Sequence, residues 1–440
     1  MTKRKKCKIF DLSAISIIAC NCLQAVICIF VDLFLISRIF KNGFDFSQGI
    51  DKLQMSKNII DIGMFYAICY VVLGVSYAFT GYALRKINKS IFVSLGSVLL
   101  TGVVAMIYFM GDKIFDFIPL IAVCYGLAWA FFSSGFNNLT AETISSKHQV
   151  RFFAVNRIMF QLTYIIFPVV LGFVVTKAGF AVLALIILAV CAALIVFSFL
   201  IRPKQHYELS FNVAKFVQKL REKKEDVKPL KSMYWSLFFR GASYDCFTTL
   251  TTIFVAFVFA GSDSTLGTLQ SVFTVCSLIT MFFYLRYYRK KRATGFIAPT
   301  IALVFAAVIG IICATNKITI ILFYAVYVIL NVILMSISDS RKAGVVRILS
   351  LHSHILESNA VAEFFLAAGR ITSSVVLLLA GVFDGLLGGG MLFLKLALGF
   401  VGVMYICFGL SIIIMEKRLI KQDEDFKKVH IAENIEKTED

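Results

Sequence analysis

The chain reads as long apolar runs separated by short polar breaks. The runs lie near 12–36, 61–84, 91–110, 114–135, 153–176 and 179–201. After a longer polar stretch they recur near 233–260, 265–287, 295–314, 317–338, 360–383 and 391–415. A hydrocarbon core of about 30 Å is crossed by roughly 20 helical residues, so each run predicts a transmembrane helix. The expected fold is an all-α integral membrane protein with about twelve transmembrane helices in two pseudo-symmetric six-helix bundles. Residues 1–201 make the N-terminal bundle, 202–231 a cytoplasmic central loop, 232–415 the C-terminal bundle and 416–440 a charged, disordered cytoplasmic tail. The first run is longer than the core of a secretory signal peptide and no small-residue cleavage pattern ends it, so it reads as a retained span.

Composition agrees with that pattern. Of the residues, 59% are hydrophobic and 16% charged, with a mean hydropathy of +0.85. A soluble domain carries nearer a quarter charged residues. The net charge of +18 would suggest nucleic acid as a partner in a soluble protein, but its distribution says otherwise. Most of the basic residues fall on the side of the membrane that holds the N-terminus: Lys3 to Lys6, Arg85, Lys86, Lys89, Arg286, Arg289 to Arg292, the 202–231 stretch and the tail. The positive-inside rule makes that side the cytoplasm and puts both termini there. The charge is topology, and no nucleic-acid partner is expected.

Within the central loop, Val213, Phe216, Val217 and Leu220 recur at helical spacing beside Lys215, Lys219 and Arg221. That pattern fits a short amphipathic helix on the anionic inner leaflet; a solvated basic linker is the alternative. Ten of the eleven Cys residues lie inside apolar runs, where a free thiol packs as a small hydrophobe. The five His residues (148, 206, 352, 354, 430) fall in cytoplasmic segments without metal-ligand spacing, and no phosphate-cradling Gly-rich loop follows a strand. Neither an enzyme nor a metal or other cofactor is expected.

The two halves echo each other. Phe152-Phe153-Ala154-Val155-Asn156-Arg157-Ile158 in span five matches Phe365-Leu366-Ala367-Ala368-Gly369-Arg370-Ile371 in span eleven, with Arg at the same place. Two six-helix halves joined by a long inner loop put a binding site between them. In layout the chain resembles the major facilitator superfamily over essentially its whole length. The family's loop motif between spans two and three, Gly-x-Leu-Ala-Asp-Arg-x-Gly-Arg-Lys, appears here as Gly81-Tyr82-Ala83-Leu84-Arg85-Lys86-Ile87-Asn88-Lys89-Ser90. Gly81, Lys86 and Lys89 match, while Arg85 replaces the Asp and Asn88 the second Gly. The resemblance implies that the Asp latch between halves is missing, and leaves Arg85, Lys86 and Lys89 as membrane-surface contacts. It is closest to the poorly characterised bacterial permeases of the superfamily, and it further implies a central cavity lined by spans one, four, seven and ten.

Polar residues form stripes on those four spans. Asn21, Gln24, Cys28 and Asp32 share a face of span one; Tyr125, Trp129 and Ser133 share one on span four. Arg240, Tyr244 and Thr248 align on span seven with Asp245 beside them, and Tyr324, Tyr327 and Asn331 align on span ten. Such residues can also hold neighbouring helices together. Asp245, near mid-bilayer, requires a cationic partner or a proton; Asp32 lies nearer the outer end of its span. Arg157 shares a face with Gln161, and Arg370 with Glu363; both Arg side chains sit near inner ends, from which they can snorkel to headgroups. The expected function is secondary transport of a small organic solute by alternating access, by a monomer in the cell membrane, with protons as the candidate coupling ion at Asp245 or Asp32. The alternatives are a flippase for a membrane lipid or lipid-linked sugar, and a non-transporting receptor or assembly factor.

Overall fold

The structure is a computed structural model that describes residues 12–44, 51–84, 87–143, 146–201, 211–222, 227–287, 293–348, 355–388 and 391–439. Its first half holds α1 (Leu12–Lys41), α2 (Lys52–Ala83), α3 (Lys89–Met110) and α4 (Ile118–Thr143). A helical stretch Ser146–Phe199 follows, broken at Gly179 into α5 and α6. A short helix α7 (Val213–Glu222) leads to α8 (Lys228–Val258), α9 (Asp263–Tyr287), α10 (Ala293–Cys313), α11 (Lys317–Ile348), α12 (Ile355–Leu387) and α13 (Leu392–Glu439). Eleven helical stretches among the described residues are long and apolar enough to cross a membrane. One of them, Val155–Phe199, has 45 residues, about 67 Å at 1.5 Å per residue and enough for two crossings. Gly179 turns the chain between them with φ 83 and ψ 169, a conformation that needs a residue without Cβ. Twelve crossings result.

Several helices begin before their apolar runs do, because local polar groups are satisfied there. At α2, Asp51 Oδ1 accepts the Leu53 N–H at 3.1 Å, and Asn58 donates to the Phe40 and Asn42 carbonyls at 2.8 Å each. Asn88 likewise caps α3 by accepting from the Ser90 N–H at 3.2 Å. The tail was expected to be disordered, yet α13 continues to Glu439.

Burial follows the two-half plan. The apolar windows of α1 and α8 are 67% and 72% buried, against 28% for Val155–Phe199 and 33% for α10. Accordingly α1 and α8 run through the interior. Outward-facing positions stay apolar, with Phe109, Phe79 and Leu386 exposed, as lipid requires.

Two antiparallel seams join the halves. Along α2 and α12, Ser56 meets Gly385, Ile60 meets Gly381, Gly63 meets Leu378 and Gly74 meets Ala367, in constant register. Ser56 Oγ donates to the Gly381 carbonyl at 2.5 Å. Along α5 and α9, Gly172 meets Asp263 and Pro168 meets Gly267. The two seams exchange under the pseudo-twofold that maps each helix of the first half onto its counterpart in the second. Small residues bring backbones close enough for dispersion to hold helices together where water supplies no driving force.

The linker helix α7 does not lie freely on the inner leaflet. Phe216 and Leu220 are buried against protein, and the Asn212 N–H donates to Glu357 Oε1 of α12 at 3.1 Å. Its apolar face found α12 instead of lipid. Just ahead of it, Phe211 covers Gly81, where an added Cβ would stand 2.9 Å from Phe211 Cζ.

The seams make a stability prediction. A Cβ at Gly63 would stand 2.7 Å from the Leu378 backbone N, whereas one at Gly102 meets nothing within 4 Å. Gly63→Ala should lower the melting temperature of the purified protein, by about 1–3 kcal/mol of stability. Gly102→Ala should leave it unchanged or raise it slightly. Equal effects of the two variants would count against a close-packed seam.

Candidate functional site

One cavity of about 500 Å³ lies between the halves, inside the range of small-molecule sites. Its walls come from both halves: Asn21, Gln24, Asp32, Trp129, Arg157 and Gln161 from the first, and Arg240, Tyr244, Asp245 and Arg370 with Tyr324, Tyr327 and Asn331 from the second.

At its centre is an ion pair that crosses from α12 to α8. Arg370 Nε binds Asp245 Oδ2. The two helices approach closely because both contact points are glycine: a Cβ at Gly369 would stand 2.8 Å from Ala242 N, and one at Gly241 3.1 Å from Arg370 N. The guanidinium also faces the first half. It lies 5.2 Å from the Tyr70 ring centroid on α2 and 5.1 Å from that of Trp129 on α4, a cation–π arrangement. Arg370 therefore touches both halves at once. Its expected snorkelling role is corrected: α12 starts at Ile355, so Arg370 sits fifteen residues in, about 22 Å along the helix. Arg157, eleven residues into its helix and about 16 Å from its start, is exposed to the same cavity. The two arginines of the repeated motif thus face one space.

A second pair, Arg240 Nη1 with Asp339 Oδ1 at 2.5 Å, joins α8 to α11 near the cavity mouth. The mouth is the end where Asn137, Arg157 and Asp339 are exposed. The opposite end is closed. There Asp263, at the start of α9, accepts from Ser37 Oγ at 2.6 Å and pairs with Lys41 Nζ at 2.6 Å. Lys41 also donates to the Gly261 carbonyl at 3.2 Å. The closed end thus rests on charges that tie α1 to α9, beside the glycine contacts of the α5–α9 seam.

Asp32 lies toward this closed end, but nine residues before α1 ends at Lys41, hence deeper than the apolar run suggests. It occupies a π-helical turn, Phe30–Leu35, and accepts from Tyr66 Oη at 3.2 Å. Asn21 donates to Asn156 Oδ1 at 3.1 Å and Gln24 to Cys28 Sγ at 3.0 Å. Tyr324 donates to Gln270 Oε1, and Tyr327 donates to the Tyr244 carbonyl at 3.2 Å. Tyr405 donates to Asn331 Oδ1 at 3.4 Å.

Two expected lining residues do not reach the cavity. Tyr125 is buried behind the wall, its ring centroid 5.8 Å from that of Trp129 and its hydroxyl 3.7 Å from Cys28 Sγ. Helical spacing gave its face but not its depth. Glu363, half-buried on α12, stands two turns from Arg370 and outside the lining. In the loop motif, Gly81 packs under Phe211, and Arg85 and Lys86 lie outside the described residues. Lys89 is buried, not at the membrane surface, because it opens α3 against α4, where Gly135 faces its carbonyl.

Other lining residues were missed. Tyr66 and Tyr70 on α2 belong to a stripe with Tyr77 at helical spacing, legible had span two been searched. Asp339 lies one residue beyond the apolar run at 317–338, outside the spans whose polar stripes point to the cavity. Gln270 and Thr274 on α9 share a face of their span and were not singled out.

Residues 22–353 match the family model described as Major Facilitator Superfamily. The uncharacterized protein YqgE of Bacillus subtilis (strain 168) is 22% identical over 332 residues, covering 74% of this chain and 76% of its own. The fold is shared with the nucleoside transporter NupG (TM-score 0.62, 15% identity, 92% of this chain and 98% of that one). It is shared equally with a bacterial homologue of the iron transporter ferroportin in its inward-facing state (0.63, 12%, 92% and 98%). The human organic anion transporter MFSD10 (TETRAN) also matches (0.60, 12%, 92% and 99%). With its six-plus-six helices, its cavity between the halves and a family match over most of its length, this multi-pass membrane protein belongs to the Major Facilitator Superfamily.

Proposed function

We propose that the protein is a secondary transporter that moves a small organic solute by alternating access. The observation that carries this reading is a polar–aromatic cavity built from both halves, open at one end and tied shut at the other. The distribution of basic residues makes the open end cytoplasmic, so the state described is inward-facing. Residues 1–201 and 232–415 then rock as two bodies about the cavity, with the 202–231 segment as their tether. The cavity supports transport over a non-transporting receptor or assembly factor. A lipid flippase would need a lateral path into the cavity. A second groove, lined by Phe79, Ile91, Leu95 and Phe131 among others of α2, α3 and α4, shares no residue with it.

Proton coupling at the central pair is part of this reading. Arg370 is held by Asp245 on one side and by Tyr70 and Trp129 on the other. A proton on Asp245 cancels the first attraction and leaves the second, which shifts the hold on the Arg370 guanidinium toward the aromatic faces of the first half. Asp32 is the other coupling candidate.

Transport is tested with labelled solutes in proteoliposomes, with and without an imposed proton gradient. Gradient-stimulated accumulation of a soluble compound is expected, and Asp245→Asn should remove the stimulation. Movement of lipid reporters alone would replace this reading with the flippase. Arg370→Ala should stop transport and destabilise the protein more than the double variant Asp245→Asn/Arg370→Gln, because a lone buried charge costs roughly 3–5 kcal/mol.

The closed end gives a separate prediction. In a cysteine-free background carrying Thr274→Cys, a membrane-impermeant maleimide added from outside should react several-fold faster once Lys41→Ala breaks the pair with Asp263. No change in rate would mean that the pair does not hold that end shut.

A further inference from the structure

We propose that Asp32 recognises the positively charged group of the solute, so that the transported compound is an organic cation, an amine with an apolar or aromatic body. The proposal rests on the transporter reading and names its substrate class.

Charge placement comes first. Three acids (Asp32, Asp245, Asp339) and three arginines (Arg157, Arg240, Arg370) line the cavity. Two pairs, Arg370 with Asp245 and Arg240 with Asp339, neutralise four of them. Asp32 and Arg157 make no ion pair among the described residues. They do not serve each other: Asn21, bonded to Asn156 beside Arg157, precedes Asp32 by eleven residues, about 16 Å along α1. The unshared negative charge therefore sits deep in the cavity and the unshared positive charge at its mouth. Tyr66 supplies the one hydrogen bond that Asp32 accepts among the described residues, which leaves acceptor capacity for a guest. Half-buried in the cavity wall, this carboxylate favours a cation or further donors as its guest.

Backbone geometry comes second. The only π-helical turn among the described residues is the one that carries Asp32, and such turns concentrate at functional sites. Its effect is visible in the spacing along α1. Gln24, Cys28 and Asp32 follow at steps of four and face the cavity. Ser37 follows Asp32 at a step of five and Lys41 at four more, and both bind Asp263. The wider turn lets one stripe carry both the deep carboxylate and the residues that shut the far end. A guest on Asp32 then presses on the helix turn that leads into that closure.

The walls come third. Tyr66 and Tyr70 stack at 5.6 Å and 17°, with Trp129 6.2 Å from Tyr70. This aromatic surface already accepts a cation from the protein itself, the Arg370 guanidinium. A soluble amine entering from the mouth meets the same kind of faces one helical turn deeper, with Asp32 as the counter-charge.

The chain has two Trp residues, and Trp129 lines the cavity. In a Trp235→Phe background, quenching of Trp129 fluorescence reports occupancy directly, independently of transport. The probes are phenethylamine, its trimethylammonium analogue, 2-phenylethanol and 3-phenylpropionate. Both cations should quench saturably, with the alcohol and the acid at least tenfold weaker. Asp32→Asn should weaken the cations tenfold or more; Asp32→Glu, the control for a folding defect, should retain part of the affinity. The quaternary probe cannot give up a proton, so its binding separates cation recognition from proton exchange.

Preference for the acid, equal binding of all probes, binding of none, or an Asp32→Asn variant that keeps its affinity for the cations each overturns the proposal. The last of these, together with a lost gradient response, would make Asp32 a proton site instead. Saturable cation binding without movement in proteoliposomes would sink the transporter reading and leave the recognition intact. Transport of 3-phenylpropionate and of neither amine by the unaltered protein would do the reverse.

Discussion

A guanidinium held at mid-membrane sets the terms for the rest of this protein. An unpaired charge at that depth costs several kcal/mol or more, so Arg370 must be matched wherever the halves go. Asp245 on α8 and the faces of Tyr70 and Trp129 on the other half share the task. The arrangement requires α8 and α12 to touch, which Gly241 and Gly369 permit. It also requires α2 to lie along α12, which the seam from Ser56 to Gly74 provides. The packing of small residues and the placing of charge are thus one design constraint seen from two sides.

The seams determine what can move. Both are antiparallel, both use small residues at backbone contacts, and they exchange under the pseudo-twofold. Packed backbones of this kind resist stretching but allow sliding and tilting, the shear motions of rigid helices. The ion-paired ties lie toward the ends: Lys41, with Ser37, to Asp263 at one, Arg240 to Asp339 at the other. Only the first of these joins the two halves. The second stays within the C-terminal half, between α8 and α11, and leaves the mouth open. That asymmetry in the ties accounts for a cavity open at one end only.

The sequence made the architecture legible because the membrane makes hydropathy nearly sufficient. Twenty apolar residues have one economical conformation in lipid, and the basic loops between them carry the orientation. Helix ends were less legible: α2 and α12 begin in polar sequence whose hydrogen bonds are satisfied only in the folded protein. The cavity was legible wherever a polar stripe ran down a helix, as with Arg240, Tyr244 and Asp245. It failed at Tyr125, where a stripe gives direction but not depth. Arg370 reads from the sequence as a residue free to snorkel from an inner end, whereas the glycine-permitted approach of α8 gives it a partner inside the protein. Nothing in composition or spacing marked the π turn at Asp32, since its stripe looks regular through Gln24 and Cys28 and slips only beyond.

That slip changes how a charge in the cavity can act. In an uninterrupted helix, a stripe through Gln24, Cys28 and Asp32 would rotate Ser37 and Lys41 away from it within two turns. With one wide turn inserted, the cavity carboxylate and the closure residues remain on one line of a single helix. A guest drawn to Asp32 therefore loads the same helical face that binds Asp263, nine residues from the Lys41 ammonium. Coupling between occupancy and closure then needs no chain of intermediate side chains. It needs one rigid helix whose two functions share a face, and a ligand whose differential contact with that face in the two states supplies the energy.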